Sequence, residues 1–144
     1  VSEKSNLGLG VMLSFLSGDD ARKTAEAIEF ATGKRIERVA CEDNRLRIWF
    51  EGGGMIVLWD GGQSCCERRY MVCDDDLKAF AGDTFLTAEI REASAGTTHY
   101  VGGAHEIQFL AVKTDRGEIV VASHNEHNGY YGGFAIRALH QRAA

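Results

Sequence analysis

The chain has no proline, so no turn can rest on a ring-locked φ, and special backbone geometry falls to its 17 glycines and to asparagine and aspartate. It also lacks any apolar run near the roughly 20 residues that a membrane-spanning helix needs. Its most apolar early stretch, Leu7–Leu16 (LGLGVMLSFL), has no basic leading segment and no small-residue cleavage site, so it is not read as a signal peptide. A basic stripe is missing as well. Arg45, Arg47, Arg68 and Arg69 are diluted by acids, and the formal net charge is −5, so nucleic acid is not an expected partner. Cysteine comes without the spaced pairs of a structural zinc site: Cys41, Cys65, Cys66 and Cys73. Adjacent Cys65 and Cys66 would form a strained bridge. A chain of 144 residues can fold without staples, so reduced thiols and a cytoplasmic location are expected.

What remains is ordinary globular composition, 44% hydrophobic and 26% charged. The length predicts a single domain, 1–144. Residues 1–33 read as a strand or helix extension packed on a β-rich body, 34–144. A helix is predicted over Asp19–Thr32, capped by Ser17 or Asp19 and stopped by Gly33. Arg45–Phe50 alternates strictly, with Leu46, Ile48 and Phe50 on one face and Arg45, Arg47 and Trp49 on the other. Glu51–Gly54 turns it into Met55–Asp60. A second hairpin joins His105–Lys113 to Glu118–Ser123 through Thr114–Gly117. Further strands are expected at Ile36–Glu42 and at Thr84–Glu92, the latter with Leu86, Ala88 and Ile90 inward. Asp74–Phe80 reads as a short helix opened by acids, and Phe134–Ile136 as a strand before a helical end. The expected class is α+β: a mainly antiparallel sheet of six or seven strands, barrel-like or curled, with one or two helices.

Two segments depart from generic sheet: Trp59–Cys73 (WDGGQSCCERRYMVC) and His124–Phe134 (HNEHNGYYGGF). Together with Asp74–Leu77 they resemble the signature segments of a small domain family of unknown function found in phage and bacterial proteins. The resemblance runs from about Phe30 to Ile136. It implies a β-rich fold and a phage or mobile-element setting, and it carries no activity.

The residues of these segments suit several chemistries. Cys65, Cys66, His124 and His127 match zinc in number, but successive strand residues point to opposite faces, so metal is not the favoured reading. Ser64, Cys65 or Cys66 with His124 or His127 and Glu67 or Glu126 supplies the parts of a metal- or cysteine-dependent hydrolase, without a nucleophile elbow. The favoured reading is a non-catalytic binding module for a small anionic or nucleotide-like ligand. Arg68 and Arg69 would offer forked donors, Trp59 a stacking face, and Gln63, Asn125, Asn128, Tyr130 and Tyr131 adaptable polar contacts. An oligomerising accessory protein, working as a homo-oligomer, is the third reading. No cofactor is expected, and the run Asp74–Asp76 is read as a helix start rather than a cation site.

Overall fold

Alternation decides the first sheet. In Arg45–Phe50 (β3), Leu46, Ile48 and Phe50 are buried, and in Met55–Asp60 (β4) Ile56 and Leu58 match them. Strand β3 lies between Ile36–Glu42 (β2) and β4, and β4 pairs in turn with Ile136–Gln141 (β9), all antiparallel. The link between β2 and β3 is two residues, Asp43 and Asn44, at φ of 53° and 58°. That pair of left-handed residues is the turn whose twist suits a hairpin.

The computed structural model describes residues 3–62, 67–73, 76–100, 102–129 and 132–142. Among them, nine strands form two antiparallel sheets and neither sheet closes into a barrel. The single sheet of six or seven strands is thus corrected to a pair, ordered β2-β3-β4-β9 and β1-β6-β7-β8-β5. The second contains Glu3–Leu7 (β1), Glu67–Val72 (β5), Phe85–Tyr100 (β6), Gly103–Thr114 (β7) and Glu118–His127 (β8).

Helix α1 is Gly8–Ser14 and helix α2 is Gly18–Ala31. Ser17 caps α2, its side chain accepting from the Asp20 amide, and Gly33 at φ 86° follows the end. Met12, Ala27, Ile28 and Ala31 from the helices join Leu46, Ile48, Leu110 and Val112 from both sheets in one apolar core. Phe50 and Phe85 meet edge-to-face across it, centroids 6.0 Å apart. No helix among the described residues is long and apolar enough to cross a membrane.

Three sequence expectations change locally. The tail is strand β9, not a strand followed by a helix, because β4 would otherwise present an unpaired edge. Leu86 is exposed, because the register shift between Phe85 and Thr87 turns Phe85 inward in its place. The short helix begins later than expected, at Leu77–Phe80, as one 3-10 turn capped by Asp76; Asp74 and Asp75 lie outside the described residues.

Leu46 is fully buried at the centre of β3, so Leu46→Ala should cost about 2–5 kcal/mol. Urea unfolding measures this. A loss under 1 kcal/mol would mean that β3 does not form the floor of the core.

Candidate functional site

The register of the five-stranded sheet builds the site. Along its inner face the first cross-strand rows are apolar: Ala88, Val112 and Ile119, then Ile90, Leu110 and Val121. The next rows turn polar. Glu92, Gln108 and Ser123 form one, with Met71; Thr97, Glu106, Asn125 and Arg69 form the next. Beyond them, His127 stands beside Glu67. Between Glu92 and Thr97 the register slips, a bulge that re-aims the strand at the point where the core gives way to the polar rows.

Arg69 is the centre of this region. Its Nη1 donates to both carboxylate oxygens of Asp60 at 2.9 Å and to the Gly133 carbonyl at 3.1 Å, and its Nη2 donates to Glu67 Oε2 at 2.7 Å. The side chains of Arg69, Asp60 and Glu67 are 8%, 4% and 1% exposed. Asn125 donates through Nδ2 to Glu67 at 2.8 Å and to the Gly133 carbonyl at 3.1 Å, which fixes its amide with Oδ1 as the acceptor. Asp60 also accepts from the Gly62 and Ala135 amides. One guanidinium therefore joins the end of β4 to β5 and the 132–135 segment, and Asn125 of β8 shares its acceptors Glu67 and Gly133.

His127 and Glu106 extend the cluster. His127 Nδ1 accepts from the Gly129 amide at 3.0 Å, so the ring proton sits on Nε2 and is donated to Glu106 Oε1 at 2.8 Å. The same oxygen accepts from the Gly133 amide at 2.9 Å. A side chain at Gly132 would collide with Glu106 and His127, so only glycine lets the chain pass this close.

Arg69 and Glu106 lie at the floor of a cleft of about 610 Å³ whose walls are Leu7, Phe15 and the 132–135 segment. Arg69, Glu92, Thr97, Glu106 and Gln108 line it. The buried oxygens Gln108 Oε1 and Asn125 Oδ1 have no hydrogen-bond partner among the described residues. The floor thus presents carboxylates, with its guanidinium already ion-paired.

The outer face of the same sheet holds a different group. Tyr70 stacks on His124 with centroids 4.6 Å apart and planes 5° apart, and His105 Nε2 lies 2.9 Å from His124 Nδ1. Glu126 hydrogen-bonds Tyr70 and stands 3.5 Å from Arg68. Burial, then the neighbouring His105, holds the His124 pKa below its ordinary 6.5, with Glu126 opposing. Burial pushes the Cys41 thiol up, away from a reactive thiolate.

Of the residues singled out from sequence, β5 and β8 bring Arg69 and Asn125 together, because the two segments pair directly. Arg68 is on the opposite face, 75% exposed. Trp59 faces away from the cleft, on the outer side of the other sheet between Arg45 and Arg137. Asn128 is exposed just past β8. Gln63, Ser64, Cys65, Cys66, Tyr130 and Tyr131 lie outside the described residues. Arg69 is not the open anion donor expected, since Asp60 and Glu67 occupy both its terminal nitrogens. His124 and His127 fall on opposite faces of β8, so they cannot share a metal ion, and no group of three metal-ligating side chains converges among the described residues. Sequence reading missed Asp60, Glu67 as an ion-pair partner, and Glu106. The available signal was polar residues at inward strand positions, Glu106 and Gln108 before Leu110 and Val112.

Two outcomes follow. Arg69→Met strands two buried carboxylates and should cost about 3–5 kcal/mol in urea unfolding; a change below 1 kcal/mol would show that the cluster is not a clamp. His124 binds a proton less readily folded than unfolded, so stability should fall as pH drops through 6.5 and level off below the folded value. In His124→Phe, which keeps a ring against Tyr70, that part of the decline should vanish from melting curves taken between pH 7.5 and 5; an unchanged slope contradicts it.

No curated protein and no solved structure matches the chain significantly. Residues 29–136 match the model of a domain of unknown function, DUF7448, and so take in the Asp60–Arg69–Glu67 cluster, Glu106 and most of both sheets. The chain belongs to the DUF7448 family of domains of unknown function.

Proposed function

We propose that this chain is a non-catalytic binding module whose ligand enters the cleft above Glu106 and Gln108. The carrying observation is the charge of the floor: the Glu106 carboxylate lines it, held by His127 and the Gly133 amide, while Arg69, the lining cation among the described residues, is neutralised by Asp60 and Glu67 behind it. Such a floor attracts a small ligand rich in hydrogen-bond donors and positively charged, a guanidinium or an ammonium, in place of the anion expected from sequence. Catalysis is less well supported, because both ring nitrogens of His127 are committed to Gly129 and Glu106 and neither is available as a base. The phage or mobile-element setting rests on the resemblance of the two signature segments. The unbridged thiol of Cys41 fits the cytoplasmic location.

Thermal melting at matched ionic strength tests the reading, with agmatine, arginine and spermidine set against AMP, GMP and phosphate. At ten times its Kd a ligand should raise Tm by about 5 °C. Stabilisation by an amine or guanidine, lost in Glu106→Gln, is expected. Stabilisation by the nucleotides alone would overturn the cationic assignment, and no shift with any of the six at millimolar concentration would count against the cleft as a small-ligand site.

A further inference from the structure

A second surface, independent of the cleft, emerges from the register of the four-stranded sheet. Its inner side packs into the core. On its outer side, Arg45 on β3, Trp59 on β4 and Arg137 on β9 form one cross-strand row. Arg47 follows on β3, and Trp49 then stands beside Arg38 of β2. Four arginines and both of the chain's tryptophans therefore share one face of a protein whose net charge is −5. The arginines that looked scattered in the sequence are gathered by the period of two along each strand.

The side chains on this face are arranged as stacks. The Arg38 guanidinium lies 3.7 Å from the Trp49 ring centroid, and those of Arg45 and Arg137 lie 5.8 and 4.9 Å from that of Trp59. Arg137 is paired with Asp20. Arg38, Arg45 and Arg47 form no ion pair among the described residues, although Glu42 stands opposite Arg45 in the register. Arg38 and Arg45 are exposed; Arg47 and both tryptophans are half-buried. The two rings are separated by four residues along the strands, about 14 Å.

We infer that this face docks single-stranded nucleic acid. Three arginines that form no ion pair among the described residues are complementary to a phosphate backbone, and the guanidinium planes held over the two rings are stacking platforms for unpaired bases. A duplex hides its base faces, and so cannot use the stacks. A lipid surface fits less well, because the tryptophan rings are covered by cations instead of presenting bare apolar faces to acyl chains.

The test is fluorescence anisotropy of a labelled 12-nucleotide single strand, as DNA and as RNA, with quenching of intrinsic tryptophan fluorescence as a second readout. Both tryptophans lie on the face, so quenching reports contact there. Binding at 50 mM salt with quenching is expected. With three phosphates neutralised it should weaken about 20-fold on going to 200 mM. Arg38→Glu, Arg45→Glu and Arg47→Glu combined should reduce affinity at least tenfold at an unchanged circular dichroism spectrum. The single exposed Arg45→Glu gives a measurable loss if the triple variant does not fold, and Arg22→Glu on α2 should leave binding intact. No binding of either strand at 50 mM salt and 50 µM protein would overturn the inference. So would equal affinity for a blunt duplex, tighter binding to phosphatidylserine vesicles, or full binding by the folded triple variant.

Discussion

The arrangement of this molecule depends on one buried guanidinium. Arg69 sits on the five-stranded sheet but finds Asp60 at the end of the other sheet, Glu67 two residues back on its own strand, and the Gly133 carbonyl on the segment that leads into β9. Beyond the apolar rows the inner face of the five-stranded sheet turns largely polar, with Met71 among the last core residues on it. There the ion-paired cluster joins the two sheets and hands on a fixed geometry to Asn125 and Glu106. A buried pair of this kind is not a strong source of net stability, since desolvation offsets much of the attraction. Its value lies in direction: the donors of Arg69 and the acceptors around it fit together in one way.

That constraint explains the character of the cleft. Because Arg69 is consumed by Asp60 and Glu67, the floor facing the cleft is left with carboxylate character. Because Glu106 Oε1 is held by His127 and by the Gly133 amide, the carboxylate is oriented before any ligand arrives. Pre-oriented acceptors suit recognition of donors, since little ordering is required on binding. The outer face of the same sheet carries the stacked Tyr70 and His124, whose proton affinity burial and His105 lower, on the side away from the cleft.

Much of the fold was legible. The strict alternation of Arg45–Phe50 predicted both faces of β3, and the cap at Ser17 and the stop at Gly33 predicted α2. The pairing of the two sheets was not, because a period of two says which face a residue takes and not which partner that face meets. Strand β5 was hidden because ERRYMV carries charge at inward positions, and only the distant Asp60 and Asn125 make Arg69 tolerable inside. In the same way His124–His127 resembled a loop by composition, yet continues the alternation of β8, with Asn125 and His127 buried in line with Val121. The candidate site was therefore legible in place but not in chemistry: the two signature segments do lie side by side, while the charges that neutralise Arg69 come from positions whose partners the sequence does not reveal. The basic face of the other sheet shows the converse, since its residues were each assigned a side correctly on β3 but were judged by net charge over the whole chain.

The central claim is that Asp60 and Arg69 act as one unit joining the sheets. A double-mutant cycle of Asp60→Asn and Arg69→Met, read by urea unfolding, tests it most directly. The account predicts a coupling energy of about 2 kcal/mol, with the double variant more stable than the two single losses sum to. Single losses that add within about 0.3 kcal/mol would contradict it.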